Sequence, residues 1–292
     1  MSLRPAISTG TATPTIEGAG VHLHRAFGFQ DPKAHDPFLL FDDFRNDNPE
    51  AYYRGFPWHP HRGIETITYV LNGTVDHSDS LGNTGSLKAG DVQWMTAGSG
   101  IMHQEMPSGN SMGQMHGFQL WANLPGSLKM TSPRYQDVGA KEIPEIIDDD
   151  GTRVRVITGS FWGQTGPVDG IAADPLYLDI SLPAGLRKAL KVDTYRNTFA
   201  YIFEGSGKFA DASDPQGVLL EKEVLGQELN IRDLSGNRTL VRFGTGDEIV
   251  VRSGPAGMRF LLVAGSPIRE PVAWHGPIAV SYTHLRAHET RN

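Results

Sequence analysis

The stretch ETITYVLNGTV, residues 65 to 75, sets the expectation for the fold because apolar and polar side chains alternate along it. Similar short stretches recur between clusters of Gly, Pro, Asn and Asp, among them RVRVITGSF, LYLDISL, FAYIFEGSGKF and MRFLLVAG. A period of two is typical of half-buried β-strands, and long helical periodicity is nearly absent. We therefore predict an all-β protein built as a sandwich or barrel.

A diverged internal repeat divides the chain in two. ETITYVLNGTV around Tyr69 aligns with NTFAYIFEGSGKF around Tyr201, at an offset of 201 − 69 = 132 residues. GDVQWMTAGSGIMHQE from Gly90 aligns with GDEIVVRSGPAGMRFL from Gly246, at an offset of 246 − 90 = 156 residues. The extra 24 residues (156 − 132) fall in 211–240, which we predict to be an extended hairpin or loop.

The length of 292 residues also favours two domains. We predict an N-terminal domain at 1–146 and a C-terminal domain at 152–279, joined at the Asp-rich turn 146–152, where a strand exchange would blur the boundary.

Residues 280–292 begin VSYTHLRAHET, which translates a common sequencing-library adapter. We predict that this tail is foreign and assign no function to His284 and His288.

Composition excludes several classes of protein. A formal net charge of −7 without a basic block argues against direct nucleic-acid binding, and the sequence has no apolar run long enough to span a membrane. The first 20 residues have no signal-peptide character. The absence of cysteine excludes disulfides and thiolate ligands. We expect a cytoplasmic protein.

Two pairs of side chains at one-residue spacing point to a metal. His59 and His61 in HPHRGIE would face one side of a strand, as would His103 and Glu105 in GIMHQEM. If the two strands face each other inside a barrel, three imidazoles and one carboxylate surround a divalent ion with open positions. That donor set suits iron(II), manganese, nickel, cobalt or copper, and the pattern does not separate them.

A single His-x-His pair is more often a surface or hydrogen-bonded pair than a metal site. The repeat favours the metal interpretation, because the alignments place Lys191 and Asp193 opposite the first pair and Arg259 and Leu261 opposite the second. All four candidate ligands are therefore present in one copy and absent from the other. We predict one metal per chain, in the N-terminal domain.

The chain from about His22 to Ile278 resembles the pirin family of bicupins. The resemblance is carried by DPFLLFDDF, by residues 59 to 107 with GDVQWMTAGSGIMHQEMP, by HGFQLWANLP and by REPVAWHGPI. It implies two stacked cupin barrels, with iron(II) only in the first, held by His59, His61, His103 and Glu105. The C-terminal barrel is then a packing partner.

Several residues keep alternative interpretations. Glu65 occupies the carboxylate position of the general cupin motif, and we expect it to orient an imidazole or accept a proton, with Glu105 as the preferred fourth ligand. Gln119 either points at the metal or is a hydrogen-bonded strand residue. Trp94, Phe56 and Met115 either wall a flat aromatic substrate or form core.

The resemblance leaves two functions open, and a metal that only stabilises the barrel is a third interpretation of the site. Some pirins resemble quercetin 2,3-dioxygenases, so the leading hypothesis is cleavage of a flavonol-like aromatic enol with O2, with Glu105 or Glu65 as catalytic base. The alternative is a non-enzymatic, redox-sensitive regulator that acts through a protein partner. An enzyme needs a substrate-sized cavity at the metal, whereas a regulator needs only an exposed surface.

Overall fold

A computed structural model describes residues 2–28, 30, 32–169, 171–210, 222–224, 227–229 and 235–280. Strands and turns dominate these ranges, with two short 3-10 turns at Pro49–Ala51 and Gly126–Leu128, so the all-β prediction is confirmed. Over the same ranges, no helix is long and apolar enough to cross a membrane. The predicted foreign tail lies outside the described residues from 281 onward, including His284 and His288.

The first half of the chain forms twelve strands. They are β1 (Ala6–Thr11), β2 (Thr13–Glu17), β3 (Val21–Phe27), β4 (Phe38–Asp43), β5 (Phe56–His61), β6 (Ile64–Asn72), β7 (Thr74–Asp79), β8 (Thr84–Leu87), β9 (Val92–Thr96), β10 (Ile101–Ser108), β11 (His116–Asn123) and β12 (Arg134–Val138).

The described part of the second half adds a further series of strands. They are β13 (Glu145–Ile147), β14 (Arg153–Thr158), β15 (Ser160–Phe161), β16 (Gln164–Thr165), β17 (Leu176–Leu182), β18 (Arg187–Lys191), β19 (Asn197–Phe209), β20 (Lys222–Val224), β21 (Gln227–Leu229), β22 (Thr239–Phe243), β23 (Glu248–Gly265), β24 (Ala273–His275) and β25 (Ile278–Val280).

Each half closes into a barrel. In the first, a sheet of order β12-β9-β6-β11-β4-β3-β2 lies opposite a sheet of order β5-β10-β7-β8, and the strands of both sheets line one cavity. In the second, the order is β1-β22-β19-β23-β17-β14-β13, with β18 added to β23. The long strands β19 and β23 pass through both sides of this barrel, and its interior is a closed apolar core.

The chain ends cross between the two halves. Strand β1 pairs with β22, so the first residues complete the sheet of the C-terminal barrel. At the other end, Ala279 is buried in an apolar cluster with Leu39, Ile64 and Met95 of the N-terminal barrel. The predicted domain limits stay a prediction, but strand pairing and packing cross them at both ends of the chain.

Within 211–240, β20 and β21 form a short hairpin, while residues 211–221, 225–226 and 230–234 lie outside the described ranges.

Strand pairing supports the first alignment of the repeat and corrects the second. Tyr69 in β6 pairs with Phe118 in β11, and Tyr201 in β19 pairs with Leu261 in β23, so the two tyrosines hold equivalent places. Gly90, however, precedes β9, which pairs with β6, whereas Gly246 precedes the part of β23 that pairs with β18. The counterpart of β9 is β22, which pairs with β19. The ungapped alignment failed because similar Gly-Asp turns precede different strands of the two barrels.

The two tyrosines also join the barrels. The Tyr69 hydroxyl donates to Asp179 Oδ2 at 2.7 Å, and the Tyr201 hydroxyl donates to Asp43 Oδ2 at 3.0 Å. Asp43 pairs with Phe118 and Asp179 pairs with Leu261, so the aspartates are also equivalent, and the bonds are reciprocal. Both carboxylates are buried within an aromatic and aliphatic core to which both halves contribute. Buried acceptors of this kind hold the two barrels in one relative orientation.

Replacing either tyrosine with phenylalanine tests this interface. Tyr69→Phe and Tyr201→Phe each remove one donor from a buried carboxylate, so each should lower the free energy of unfolding by about 1 to 3 kcal/mol. Urea unfolding followed by tryptophan fluorescence measures the loss. Tyr53→Phe, at an exposed tyrosine, is the matched control and should change little. If the buried variants lose no more than the control, the reciprocal bonds do not stabilise the interface.

Candidate metal centre

Three histidine side chains converge inside the N-terminal barrel. Strands β5 and β10 are antiparallel neighbours in which His59 pairs with His103 and His61 pairs with Ile101. Because side chains alternate along each strand, His59, His61 and His103 all face inward. Their Nε2 atoms form one cluster, with His59 Nε2 at 3.0 Å from both His61 Nε2 and His103 Nε2.

Hydrogen bonds set the tautomers of two of these rings. His59 Nδ1 lies 2.8 Å from the Pro57 carbonyl oxygen and His61 Nδ1 lies 3.3 Å from that of Pro277. A carbonyl only accepts, so each Nδ1 carries the proton and each Nε2 presents a lone pair to the cluster. Lone pairs that face one another are unfavourable unless a cation lies between them.

The electrostatics and spacing of the cluster suit a divalent metal. Burial and the neighbouring imidazoles hold the pKa of His61 well below its usual range and lower the pKa of His103 to about 3, so both rings are neutral and available as ligands. Nitrogens about 2.1 Å from one ion and at right angles lie about 3.0 Å apart, which matches the distance of His59 Nε2 from each of the other two Nε2 atoms. The residues therefore fit the metal that the pattern predicts.

Glu105 lies beside the cluster on β10. Its Oε2 is 4.0 Å from His103 Nε2, and its Oε1 lies 3.1 Å from the Thr68 hydroxyl. The carboxylate is buried, which raises the pKa of Glu105. Glu105 is not part of the group of ligand atoms that lie within 4.8 Å of one another, so its role as fourth ligand stays a prediction.

Glu65 does not face the cluster, which corrects the expectation that it orients an imidazole or acts as base there. Its Oε1 accepts a hydrogen bond from the Thr96 hydroxyl at 2.8 Å, and burial raises its pKa to about 6. Strand β6 sends Glu65 to the same side as Tyr69, toward the other barrel, whereas Thr68 faces the cavity. The backbone between the motif histidines and Glu65 turns at Gly63, with φ +72°, so alternation does not continue through it.

A cavity of about 780 Å³ opens beside the imidazoles, which is the size of small-molecule sites in proteins. His59, His61, Glu105 and Gln119 contribute polar groups to it. Its apolar wall includes Val21, Leu23, Leu40, Phe44, Tyr52, Phe56, Val75, Pro107, Trp121 and Trp274. Of the candidate wall residues, Phe56 lines the cavity, whereas Trp94 and Met115 are fully buried in the surrounding core.

The corresponding place in the C-terminal barrel is filled. His77 pairs with Glu105 in the first barrel, and Phe209 pairs with Val251 in the second, so Val251 is the counterpart of Glu105. Ile249, two residues before Val251, is the counterpart of His103. Leu190 pairs with Ile249 as His59 pairs with His103, so Leu190 is the counterpart of His59. Ile249 and Val251 replace Arg259 and Leu261, which the ungapped alignment placed opposite His103 and Glu105. Leu190 replaces Lys191, so the Tyr69–Tyr201 alignment is one residue out of register at this strand. All three counterparts are buried core residues, so they offer no ligand atoms.

Residues 273–280, here called the C-terminal strap, close one side of the site. The strap comprises β24, a turn and β25, and its Trp274, Gly276 and Pro277 line the cavity. The Pro277 carbonyl is the group that orients His61. The residues quoted for the family resemblance include REPVAWHGPI, but residue spacing gave no reason to place that segment against the metal.

A buried lysine fastens the strap. Lys129 is 2% exposed, and its Nζ donates to Gly63 O at 2.8 Å, to Asn123 Oδ1 at 2.6 Å and to Ala279 O at 3.4 Å. An ammonium has three protons, so the three acceptors satisfy it. A Cβ at Gly63 would lie 1.9 Å from Ala279 O, so only glycine permits this close approach of the strap.

These contacts define a class of protein before any comparison: a two-barrel cupin whose first barrel holds a candidate metal site. The family model named Pirin matches residues 20–122, and the model for the pirin C-terminal cupin domain matches residues 177–286. The chain belongs to the pirin family. The second match overlaps the start of the tail predicted to be foreign, and that origin stays a prediction.

Individual relatives agree with this assignment. The pirin-like protein of Caulobacter vibrioides is 41% identical over 281 residues, covering 96% of this chain and 94% of that protein. The crystal structure of quercetin 2,3-dioxygenase from Acinetobacter baumannii superposes with a TM-score of 0.82 and 27% identity, over 99% of this chain and 96% of that one. The Escherichia coli pirin YhhW, solved with nickel(II), has a TM-score of 0.62 and 20% identity, over 90% and 98% of the two chains. The predicted bicupin fold is confirmed.

Lys129→Met tests the fastening of the strap. The substitution keeps most of the buried apolar stem but leaves three carbonyl-type acceptors without their donor, so we expect about 2 kcal/mol or more of destabilisation. We also expect faster proteolysis in 273–280 and weaker metal retention against a chelator, because the orienting carbonyl of His61 is on the strap. Lys141→Met, at an exposed lysine, is the matched control. Unchanged proteolysis of the strap in Lys129→Met would show that the lysine does not hold it.

Proposed function

We propose that this chain is a metal-dependent dioxygenase of the quercetin 2,3-dioxygenase type, which cleaves the ring of a flavonol-like aromatic enol with O2. The proposal rests on one observation: His59 and His61, two of the three clustered imidazoles, line a cavity large enough for such a substrate, so the cluster borders open space and not a filled core. A structural metal needs no such cavity. The likeness to the A. baumannii quercetin 2,3-dioxygenase supports the same activity.

In this proposal His59, His61 and His103 hold one divalent metal, with Glu105 as fourth ligand. Neutral imidazole and carboxylate donors suit iron(II), which we propose as the metal, and are compatible with manganese, nickel, cobalt or copper. When bound, the metal supplies Lewis-acid chemistry and a template that brings the substrate enolate and O2 together.

The remaining chemistry belongs to the chain. Glu105 accepts the proton of the substrate hydroxyl, a task that its raised basicity favours because the carboxylate is buried. The Thr68 hydroxyl, 3.1 Å from Glu105 Oε1, keeps that carboxylate in place. Phe56, Trp121 and Trp274 provide flat apolar surfaces for an aromatic substrate and exclude water from the reacting end.

The test combines metal counting with oxygen uptake. The full chain, loaded anaerobically with iron(II), should bind one equivalent and consume O2 when quercetin is added. His61→Ala should abolish both metal binding and uptake. Glu105→Gln should lower turnover by about 100-fold or more, since it removes both a ligand and a base.

His116→Gln serves as the matched control. His116 is a buried histidine of the same barrel that lies outside the cluster, and this variant should keep one equivalent of metal and its turnover. One equivalent of metal without oxygen uptake would contradict the enzymatic proposal and favour the regulatory function. Two equivalents would contradict the assignment of a single site.

A further inference from the structure

A row of polar side chains crosses the wall of the cavity away from the imidazoles. Cross-strand pairing places Thr68 beside Gln119, Gln119 beside Asp42, and Asp42 beside Arg25, on four successive strands. The Thr68 hydroxyl lies 2.8 Å from Gln119 Oε1, and all four residues line the cavity. The row therefore runs along one wall from the neighbourhood of Glu105 to the far side.

The far end of the row is an ion cluster. Arg25 donates to Asp42 through Nε at 2.8 Å and through Nη2 at 2.7 Å, and to Glu17 Oε1 through Nη1 at 2.8 Å. Glu17 also lines the cavity. One carboxylate would neutralise the guanidinium, so the second leaves the cluster with an excess of negative charge and of hydrogen-bond acceptors.

The carboxylates of Asp42 and Glu17 can accept further hydrogen bonds. Each oxygen of Asp42 accepts one hydrogen bond, and Glu17 accepts one at Oε1, while a carboxylate offers about four acceptor sites. Asp42 lines the cavity although only 5% of it is exposed, so its remaining acceptor sites are available to a molecule bound there. Phe44, Leu40 and Leu23 also line the cavity and give it an apolar surface next to the ion cluster.

The spacing matches an elongated ligand. Thr68, next to Glu105, and Asp42 are separated by two strand gaps, which is about 10 Å. A flat ligand of about three rings is therefore long enough to place its enol at the imidazoles and its opposite end at Asp42. The excess of acceptors selects hydrogen-bond donors at that end and disfavours a carboxylate.

We propose that Glu17, Arg25 and Asp42 form a second recognition subsite, which binds the phenolic hydroxyl groups at the end of the substrate remote from the metal. This inference rests on the proposed function for the identity of the reacting end. It assigns a specificity role to three residues that do not touch the metal cluster. It also narrows the substrate class to aromatic enols that carry hydroxyl donors on a distal ring.

Binding without oxygen tests the subsite separately from turnover. Anaerobic fluorescence quenching is measured with three flavonols that differ only in the pendant ring, which has no substituent, two adjacent hydroxyls or a carboxylate. The unmodified chain should bind the dihydroxy compound at least about tenfold more tightly than the unsubstituted one, and the carboxylate least.

Two variants locate the preference. Asp42→Asn and Glu17→Gln should bring the affinity ratio of the first two flavonols toward one, with the affinity for the unsubstituted flavonol unchanged. Glu17 is the milder site, because its side chain is 40% exposed and the Arg25–Asp42 pair stays intact. Glu50→Gln, at an exposed acidic residue of the same half, is the control.

The outcomes separate the subsite from the proposed reaction. An unchanged ratio in both variants, or an equal loss of affinity for both flavonols, would overturn the subsite, since a purely structural ion cluster affects all ligands alike. If the ratio falls as expected but quercetin consumes no O2, the subsite stands and the dioxygenase proposal fails.

Discussion

The alternation of side chains along strands enclosed in a barrel is the constraint on which the metal centre depends. In the N-terminal barrel it directs His59, His61 and His103 inward, and pairing of β5 with β10 brings them level. The same constraint sends Glu65 outward, into the layer between the barrels. Whether a residue of the barrel can take part in chemistry therefore depends on whether its side chain faces inward or outward, as much as on its residue type.

The same fold is used in two ways within one chain. In the second barrel the places of the ligands hold Leu190, Ile249 and Val251, which pack into a closed apolar core. Burial of such side chains stabilises a barrel, whereas a hollow site with imidazoles and a buried carboxylate costs stability. The apolar barrel and the shared interface offset that cost, and the Tyr69–Asp179 and Tyr201–Asp43 bonds tie the hollow barrel to the filled one.

Much of this arrangement is visible in the sequence, because its signals are local. The one-residue spacing of His59 with His61 predicted a shared face, and the Tyr69 and Tyr201 segments revealed the repeat. The parity argument failed at Glu65 because it assumed one continuous strand, while Gly63 with φ +72° resets the alternation. The place of Lys129 was out of reach, since it depends on contacts with Ala279, 150 residues away.

The strap changes the role of the C-terminal half. A packing partner alone would contribute only area, but the chain that leaves the second barrel returns to line the cavity with Trp274 and to orient His61 through Pro277 O. A ring whose Nδ1 is held by a carbonyl presents Nε2 as a ligand of fixed direction. The first barrel supplies the three clustered imidazoles, and the segment after the second barrel orients one of them. The metal centre is therefore completed only when both halves are folded and the strap is in place.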